Sequence, residues 1–213
     1  PFAKLIAVPP DPCTWYVMEY VAGTDAEKLL GSMRGDTDLA GRVLRAYAGM
    51  LEKVHEQGLV FPDAAWNVVR VDGERLAICD YDVITSVGEI NSRDHPVRHI
   101  GHDFYLSKEQ VLVSGYVEPV SNLESFALMV DRAFCGRPLS PRADRGSSRW
   151  MRYQGMVARN TRVYGRARRR KLPFNVETFV TEMLHGRRDE RTTAKDVLRM
   201  LRCDFPSAFG KDF

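Results

Sequence analysis

The sequence predicts an α+β fold, and three observations carry that prediction. Strand-like runs gather at the start of the chain, and helical periodicity dominates after Asp82. Between them lies Gly58–Asp82, GLVFPDAAWNVVRVDGERLAICDYD, where two β-rich runs, Asn67–Val71 and Leu76–Cys79, flank the turn signal Asp72-Gly73-Glu74. Asp63 and Asn67 come just before or at the start of the first run, and Asp80 and Asp82 just after the second. A tight hairpin lays its two ends side by side, so Asp63, Asn67 and Asp80 are expected at one mouth. Oxygen-bearing side chains grouped this way suit Mg²⁺, a hard cation that prefers oxygen ligands and usually shares them with a phosphate.

The elements follow in order. Ala3–Val8 is a short apolar strand stopped by Pro9-Pro10-Asp11-Pro12, and the β-branched, aromatic Thr14–Val21 would pair with it across the proline turn. Ala22-Gly23-Thr24-Asp25 breaks that strand, and Thr24 or Asp25 caps a short helix running to about Ser32. Asp36–Gln57 has the clearest helical signature. Asp36 or Thr37 caps it, Leu39, Val43, Leu44, Tyr47, Leu51 and Val54 recur on one face, and Gly58 stands where a terminating glycine belongs. It reads as a core helix that positions the loop after it.

Val83–Ser107 shows no regular period, and a long irregular segment in a compact domain points to a functional loop. Its His95, His99 and His102 lack a carboxylate or cysteine at a ligand spacing, so they read as loop histidines. Glu124–Phe134 is an apolar helix, with Asn122 near its start and Gly136 at its end, hydrophobic enough to run through the middle of a helical domain. Pro138–Ser148 reads as a loop. The basic patch in Arg149–Lys171 reads as a solvated face rather than a nucleic-acid footprint, because no aromatic stacking pattern accompanies it. Val176–Leu184 and Ala194–Leu201 are two further helices, with Thr192 or Thr193 capping the second.

Composition bounds the rest. The 213 residues are 44% hydrophobic and 28% charged, as in a globular chain long enough for one large domain or two small ones. No apolar run approaches the roughly 18 residues that span a bilayer, so no membrane partner is expected. The four cysteines are far apart without CxxC spacing, which reads as free thiols in a reducing, cytoplasmic compartment. A net charge of +3 is too small to imply a polyanionic partner. The chain opens at Pro1, directly into an apolar run, and so reads as a piece of something longer.

This order of parts resembles the protein-kinase fold over nearly the whole chain, beginning partway through the small lobe. Tyr16–Gly23, YVMEYVAG, is similar to the last small-lobe strand and hinge. The resemblance implies Met18 as gatekeeper, the backbone of Glu19 and Val21 against adenine, and Asp25 near the ribose. Phe61-Pro62-Asp63-Ala64-Ala65-Trp66-Asn67 resembles the catalytic loop H-R-D-x-x-x-x-N, and Asp80-Tyr81-Asp82 the D-F-G motif. Ser107-Lys108-Glu109 stands where A-P-E closes the activation segment, and Asn122–Ala127 where the buried D-x-W-x-x-G helix begins. Arg191 takes the place of the arginine that pairs with the A-P-E glutamate, implying a Glu109–Arg191 salt bridge. Residues 1–23 are then the end of the small lobe and the hinge, and 24–213 the large lobe.

The implied function is transfer of the γ-phosphate of ATP to a serine or threonine hydroxyl of a protein substrate. Asp63 would orient the attacking hydroxyl, and Asn67 and Asp80 would hold Mg²⁺. There are departures from the family. The loop is one residue short between Asp63 and Asn67, Pro62 replaces the arginine that often pairs with a phosphorylated activation loop, and no lysine follows Asp63. Asp82 replaces the D-F-G glycine, and Asn122 the anchoring aspartate. The Gly-rich phosphate loop and the family's pair of strand lysine and helix glutamate are missing at the front, so the chain alone is not expected to be an efficient kinase. Two other readings stay open. One is a catalytically impaired pseudokinase acting as a binding or scaffold module. The other is a small-molecule phosphotransferase of the aminoglycoside or choline kinase type, whose I-D-Y/W/F-x motif the run Ile78-Cys79-Asp80-Tyr81-Asp82 also fits.

Overall fold

Helices and small antiparallel sheets share the chain, which makes the fold α+β. The computed structural model describes residues 3–7, 17–33, 35–63, 65–73, 75–79, 84–87, 105, 107, 110, 117–135, 173–184 and 192–209. Strands β1 (Leu5–Ala7) and β2 (Val17–Met18) form an antiparallel ribbon, and β3 (Thr24–Asp25) leads straight into α1 (Ala26–Met33). Then come α2 (Thr37–Glu56), β4 (Leu59–Val60), a 3-10 turn at Trp66–Val68, β5 (Val69–Asp72), β6 (Arg75–Ile78) and β7 (Thr85–Ser86). Helices α3 (Pro119–Cys135), α4 (Phe174–Leu184) and α5 (Ala194–Asp204) follow, with a 3-10 turn at Pro206–Phe209. The order β3-β5-β6 makes one sheet, and β4 pairs with β7 in another.

Helix α2 forms as its sequence predicts. Asp36, with extended backbone, accepts a 2.9 Å hydrogen bond from the Leu39 N–H, and Gly58 ends the helix at φ 69°, a conformation that favours glycine. Its buried face carries Val43, Leu44, Tyr47, Met50, Leu51 and Val54. The Tyr47 ring stacks on Phe126 of α3 at 5.1 Å and meets Trp66 edge-on at 5.9 Å, while Phe126 lies 5.9 Å from Phe179 of α4. This aromatic column joins three helices and the loop between β4 and β5. Of the two threonines offered as the cap of α5, Thr193 fills the role in a reciprocal capping box with Asp196.

The hairpin is as the turn signal predicts, with Val69 opposite Ile78 and Asp72 opposite Arg75, leaving a two-residue loop. Its first strand starts at Val69 rather than Asn67, because Trp66–Val68 is taken up by the 3-10 turn. Thr24 and Asp25 pair with Val71 and Arg70 as a strand before α1 begins. Helix α3 starts at Pro119, a full turn before the expected Glu124. Proline suits a first helical turn, where its missing N–H costs nothing. The early turn is hidden from periodicity because Ser121, Asn122, Glu124 and Ser125 are polar yet buried.

No helix among the described residues is long and apolar enough to cross a membrane. His95, His99 and His102, the patch in Arg149–Lys171, Asp80, Asp82, Glu109 and Arg191 lie outside the described residues.

Gly41 lies where α2 packs against the residues that follow α5. A Cβ added there would lie 2.7 Å from the Cβ of Phe205 and 3.0 Å from that of Ala208, whereas one added at Gly49 would meet nothing within 4 Å. Gly41→Ala is therefore expected to destabilise the protein by about 1–3 kcal/mol through overpacking. Gly49→Ala is expected to stabilise it by roughly 0.5–1 kcal/mol through helix propensity. Denaturant melts of the two variants check the opposite signs.

Candidate functional site

The backbone leading into Asp63 is held from two sides. Phe61 is fully buried, so its peptide groups have no water to bond. The Asn122 amide, from the first turn of α3, answers both: its Oδ1 accepts from the Phe61 N–H and its Nδ2 donates to the Phe61 C=O, each at 2.8 Å. The Nε2 of His55, in the last turn of α2, lies 3.2 Å from the same Oδ1 and donates to it in the matching tautomer. A carboxylate at position 122 could accept from the N–H but would face the carbonyl with no proton to give. The asparagine is thus chemically suited to this loop.

Pro62 is held by a different residue. The Gln110 Nε2 donates to the Pro62 C=O at 2.8 Å, while its Oε1 accepts from the Ser107 N–H at 2.9 Å and from the Ser125 Oγ at 3.5 Å. The Gln110 N–H returns to the Ser107 Oγ at 3.3 Å, which completes a capping box. Asp63 follows, partly exposed, and beyond it the Trp66 indole N–H donates to the Met129 C=O at 2.8 Å.

The other end of the hairpin closes on this loop. The Cys79 N–H donates to the Val68 C=O at 2.7 Å, so the turn containing Asn67 abuts the residue before Asp80. The side chain of Asn67 and all of Asp80 lie outside the described residues. Among the described residues there is no group of three or more His, Cys, Asp and Glu side chains that could hold a metal ion.

Met18 and Val21 pack with Ala3, Ala77 and Cys79 in a small apolar cluster apart from the main core. The Glu19 N–H donates to the Lys4 C=O at 2.8 Å. Its carboxylate accepts from the Lys4 N–H at 2.9 Å and from Arg75 at 2.7 Å, which hold its pKa below the usual value in that order. Asp25 is bonded to Lys28 at 3.1 Å and to Arg70, which also donates to the Gly23 C=O at 2.5 Å. Lys28 first, then Arg70, lower the Asp25 carboxyl.

Of the expected site residues, Asn122 bonds the backbone two residues before Asp63, Asn67 lies in the turn that follows Asp63, Met18 and Val21 share the apolar cluster with Cys79, and Glu19 and Asp25 are held by Arg75 and Arg70 of the hairpin. Sequence reasoning missed His55 and Gln110. The signal for Gln110 was present as Ser107-x-x-Gln110, the capping-box spacing. His55 offered none, because a polar residue near a helix end is ordinary.

No model of a known protein family matches the chain, and a search of curated proteins finds no match either.

Tyr47 lies beneath this loop. Burial above all, then the charge of Asp63, pushes its phenol well above the usual range, and its hydroxyl makes no well-formed hydrogen bond among the described residues. Tyr47→Phe keeps the stacked ring and removes a buried unpaired group, so it is expected to match or exceed the wild type by up to about 1 kcal/mol. A clear loss in thermal melts would show that the hydroxyl has a partner.

Burial lowers the His55 pKa, outweighing the Asn122 bond that raises it. The unfolded chain therefore binds a proton there more readily than the folded one. The His55 contribution is complete above about pH 6.5 and is lost as pH falls through the lowered folded value. His55→Gln keeps a donor for Asn122 and removes the titration, so the mutant-to-wild-type stability difference should shift in the mutant's favour on acidification.

Proposed function

We propose that the chain carries the hinge and large lobe of a protein-kinase-like phosphotransferase, which moves the γ-phosphate of ATP to a serine or threonine hydroxyl of a protein substrate. The observation that carries this reading is the hold on Phe61 and Pro62 by Asn122 and Gln110, directly before a partly exposed Asp63. A residue that orients an attacking hydroxyl needs a rigid backbone behind an accessible carboxylate.

Further support comes from the hairpin and the hinge. The Cys79–Val68 bond ties the Asn67 turn to the residue preceding Asp80. An amide oxygen and a carboxylate there suit a hard cation in kind, and Asn67 and Asp80 are the residues that would hold Mg²⁺. When bound, the ion supplies charge neutralisation at the nucleotide phosphates. Met18 and Cys79, partly exposed against the buried Ala3, Val21 and Ala77, supply apolar side chains of the kind that line adenine sites. Asp63 would accept a hydrogen bond from the substrate hydroxyl and aim its oxygen at the phosphorus.

A second reading, a nucleotide-binding or scaffold module impaired in catalysis, is favoured by a separate observation. The Asp25 carboxylate is already engaged by Lys28 and Arg70, and the Glu19 N–H by the Lys4 carbonyl. Ribose and adenine would have to displace or bypass these bonds.

The test is phosphate transfer from Mg-ATP by the full-length protein, with nucleotide affinity measured in parallel. Asp63→Asn is expected to lower kcat about a hundredfold or more while leaving nucleotide affinity near the wild-type value. Unchanged transfer in that variant would remove Asp63 from the mechanism. Wild-type protein that binds Mg-ATP without transferring phosphate would establish the second reading.

A further inference from the structure

We propose that Gln110 is a positioning residue that sets the direction in which the chain enters Asp63, coupling the reciprocal Ser107–Gln110 bonds to the candidate catalytic loop. This inference rests on the phosphotransferase reading above. The argument begins at Pro62. Its ring fixes φ, and its peptide bond to Asp63 is planar, so the one soft backbone dihedral left between Phe61 and Asp63 is the ψ of Pro62. That dihedral is reported by the direction of the Pro62 carbonyl. Proline has no N–H, so the carbonyl is also the only backbone group by which this residue can be gripped.

Gln110 grips it. The residue is 8% exposed, and its Nε2 donates to the Pro62 C=O at 2.8 Å. The amide is itself immobilised, since its Oε1 receives the Ser107 N–H at 2.9 Å and the Ser125 hydroxyl at 3.5 Å. The oxygen thus serves the capping box, and the nitrogen serves the loop. A glutamate would satisfy the capping box equally well, because that role needs only an acceptor. The nitrogen is the part of glutamine that capping does not require, and it is the part that reaches Pro62.

Pro62 also stands where the family carries an arginine, so no cation at that position is offered to a phosphorylated segment. A neutral amide-to-carbonyl bond links residues 107–110 to the loop in its stead, independently of phosphorylation.

Gln110→Glu separates the two roles. Ionised, the new side chain keeps the cap and presents a carboxylate to the Pro62 carbonyl; protonated, it can donate to that carbonyl again. Burial raises the pKa of such a carboxyl, which brings the change within an accessible range. The experiment measures phosphate transfer from Mg-ATP by wild type and Gln110→Glu between about pH 8 and about pH 5.5, beside hydrogen exchange at the Asp63 amide. At the alkaline end, kcat should fall about tenfold with the nucleotide KM within about twofold of wild type, and the mutant-to-wild-type ratio should recover on acidification. Exchange at Asp63 should quicken at the alkaline end while the amides of Val43–Leu51 stay protected as in wild type. A wild-type kcat, equal losses in kcat and affinity, or a ratio flat with pH would overturn the proposal. If the wild-type protein transfers no phosphate, or Asp63→Asn transfers normally, the phosphotransferase reading fails. The exchange measurement then decides alone whether Gln110 holds the loop: unchanged exchange at Asp63, or faster exchange spread through α2, overturns it.

Discussion

The organisation of the molecule depends on the closure of one side-chain amide over both polar groups of one buried residue. The Phe61 ring is drawn into the core, and its N–H and C=O go with it. Unpaired, each would cost on the order of 1–3 kcal/mol. Pairing both at once takes a group that donates and accepts within a few ångströms, and Asn122 is such a group. The requirement propagates outward. Helix α3 must bring a polar first turn into the interior, and α2 must end close enough for His55 to share the same oxygen. The junction of α2, the loop and α3 is the frame on which Asp63 is mounted.

Sequence patterns made the frame's larger members legible and its joints obscure. Helix α2 could be read from its apolar period, its Asp36 cap and Gly58, and the β5–β6 hairpin from its Asp-Gly turn. The α5 cap, Thr193, lay within the pair of residues the sequence offered. Strands β3, β4 and β7 span two residues each, too short for alternation to register. The start of α3 was missed because buried polar residues break the apolar period that reveals a helix, and they are buried only because of what they bind. The candidate site shows the same division. Asp63, Asn67 and Asp80 are visible as residue types at suggestive spacings. Their supports are not, since Asn122 and Gln110 reach the loop from 61 and 48 positions away. Gln110 sits beside Glu109, to which the kinase-like pattern of the sequence draws attention first.

The strand ends near Met18 are fastened differently, by ions rather than amides. Arg70 on β5 and Arg75 on β6 reach across to Asp25 and Glu19, and Arg70 also takes the Gly23 carbonyl. Partly exposed ion pairs of this kind add little stability each. Their geometry matters more, because two arginines on one hairpin hold the connecting segment 19–25 to the same body that carries Cys79. The turn after Asp63, through the Cys79–Val68 bond, and the segment after Met18 are thereby referenced to one hairpin.

Closure of α2 against the end of α5 also has a kinetic side. Ser207 donates to Asp38 at 2.5 Å, the Ala208 carbonyl accepts from Arg45 at 2.5 Å, and the Phe209 ring lies under both Arg45 and Arg202. These partners are separated by 169 and 163 residues in the first two cases. At ribosomal speeds of about 5–20 residues per second, the flank of α2 around Gly41 emerges on the order of ten seconds or more before the residues that cover it. The nascent chain must keep that groove from other partners for the whole interval, so residues made long afterwards complete the packing of α2.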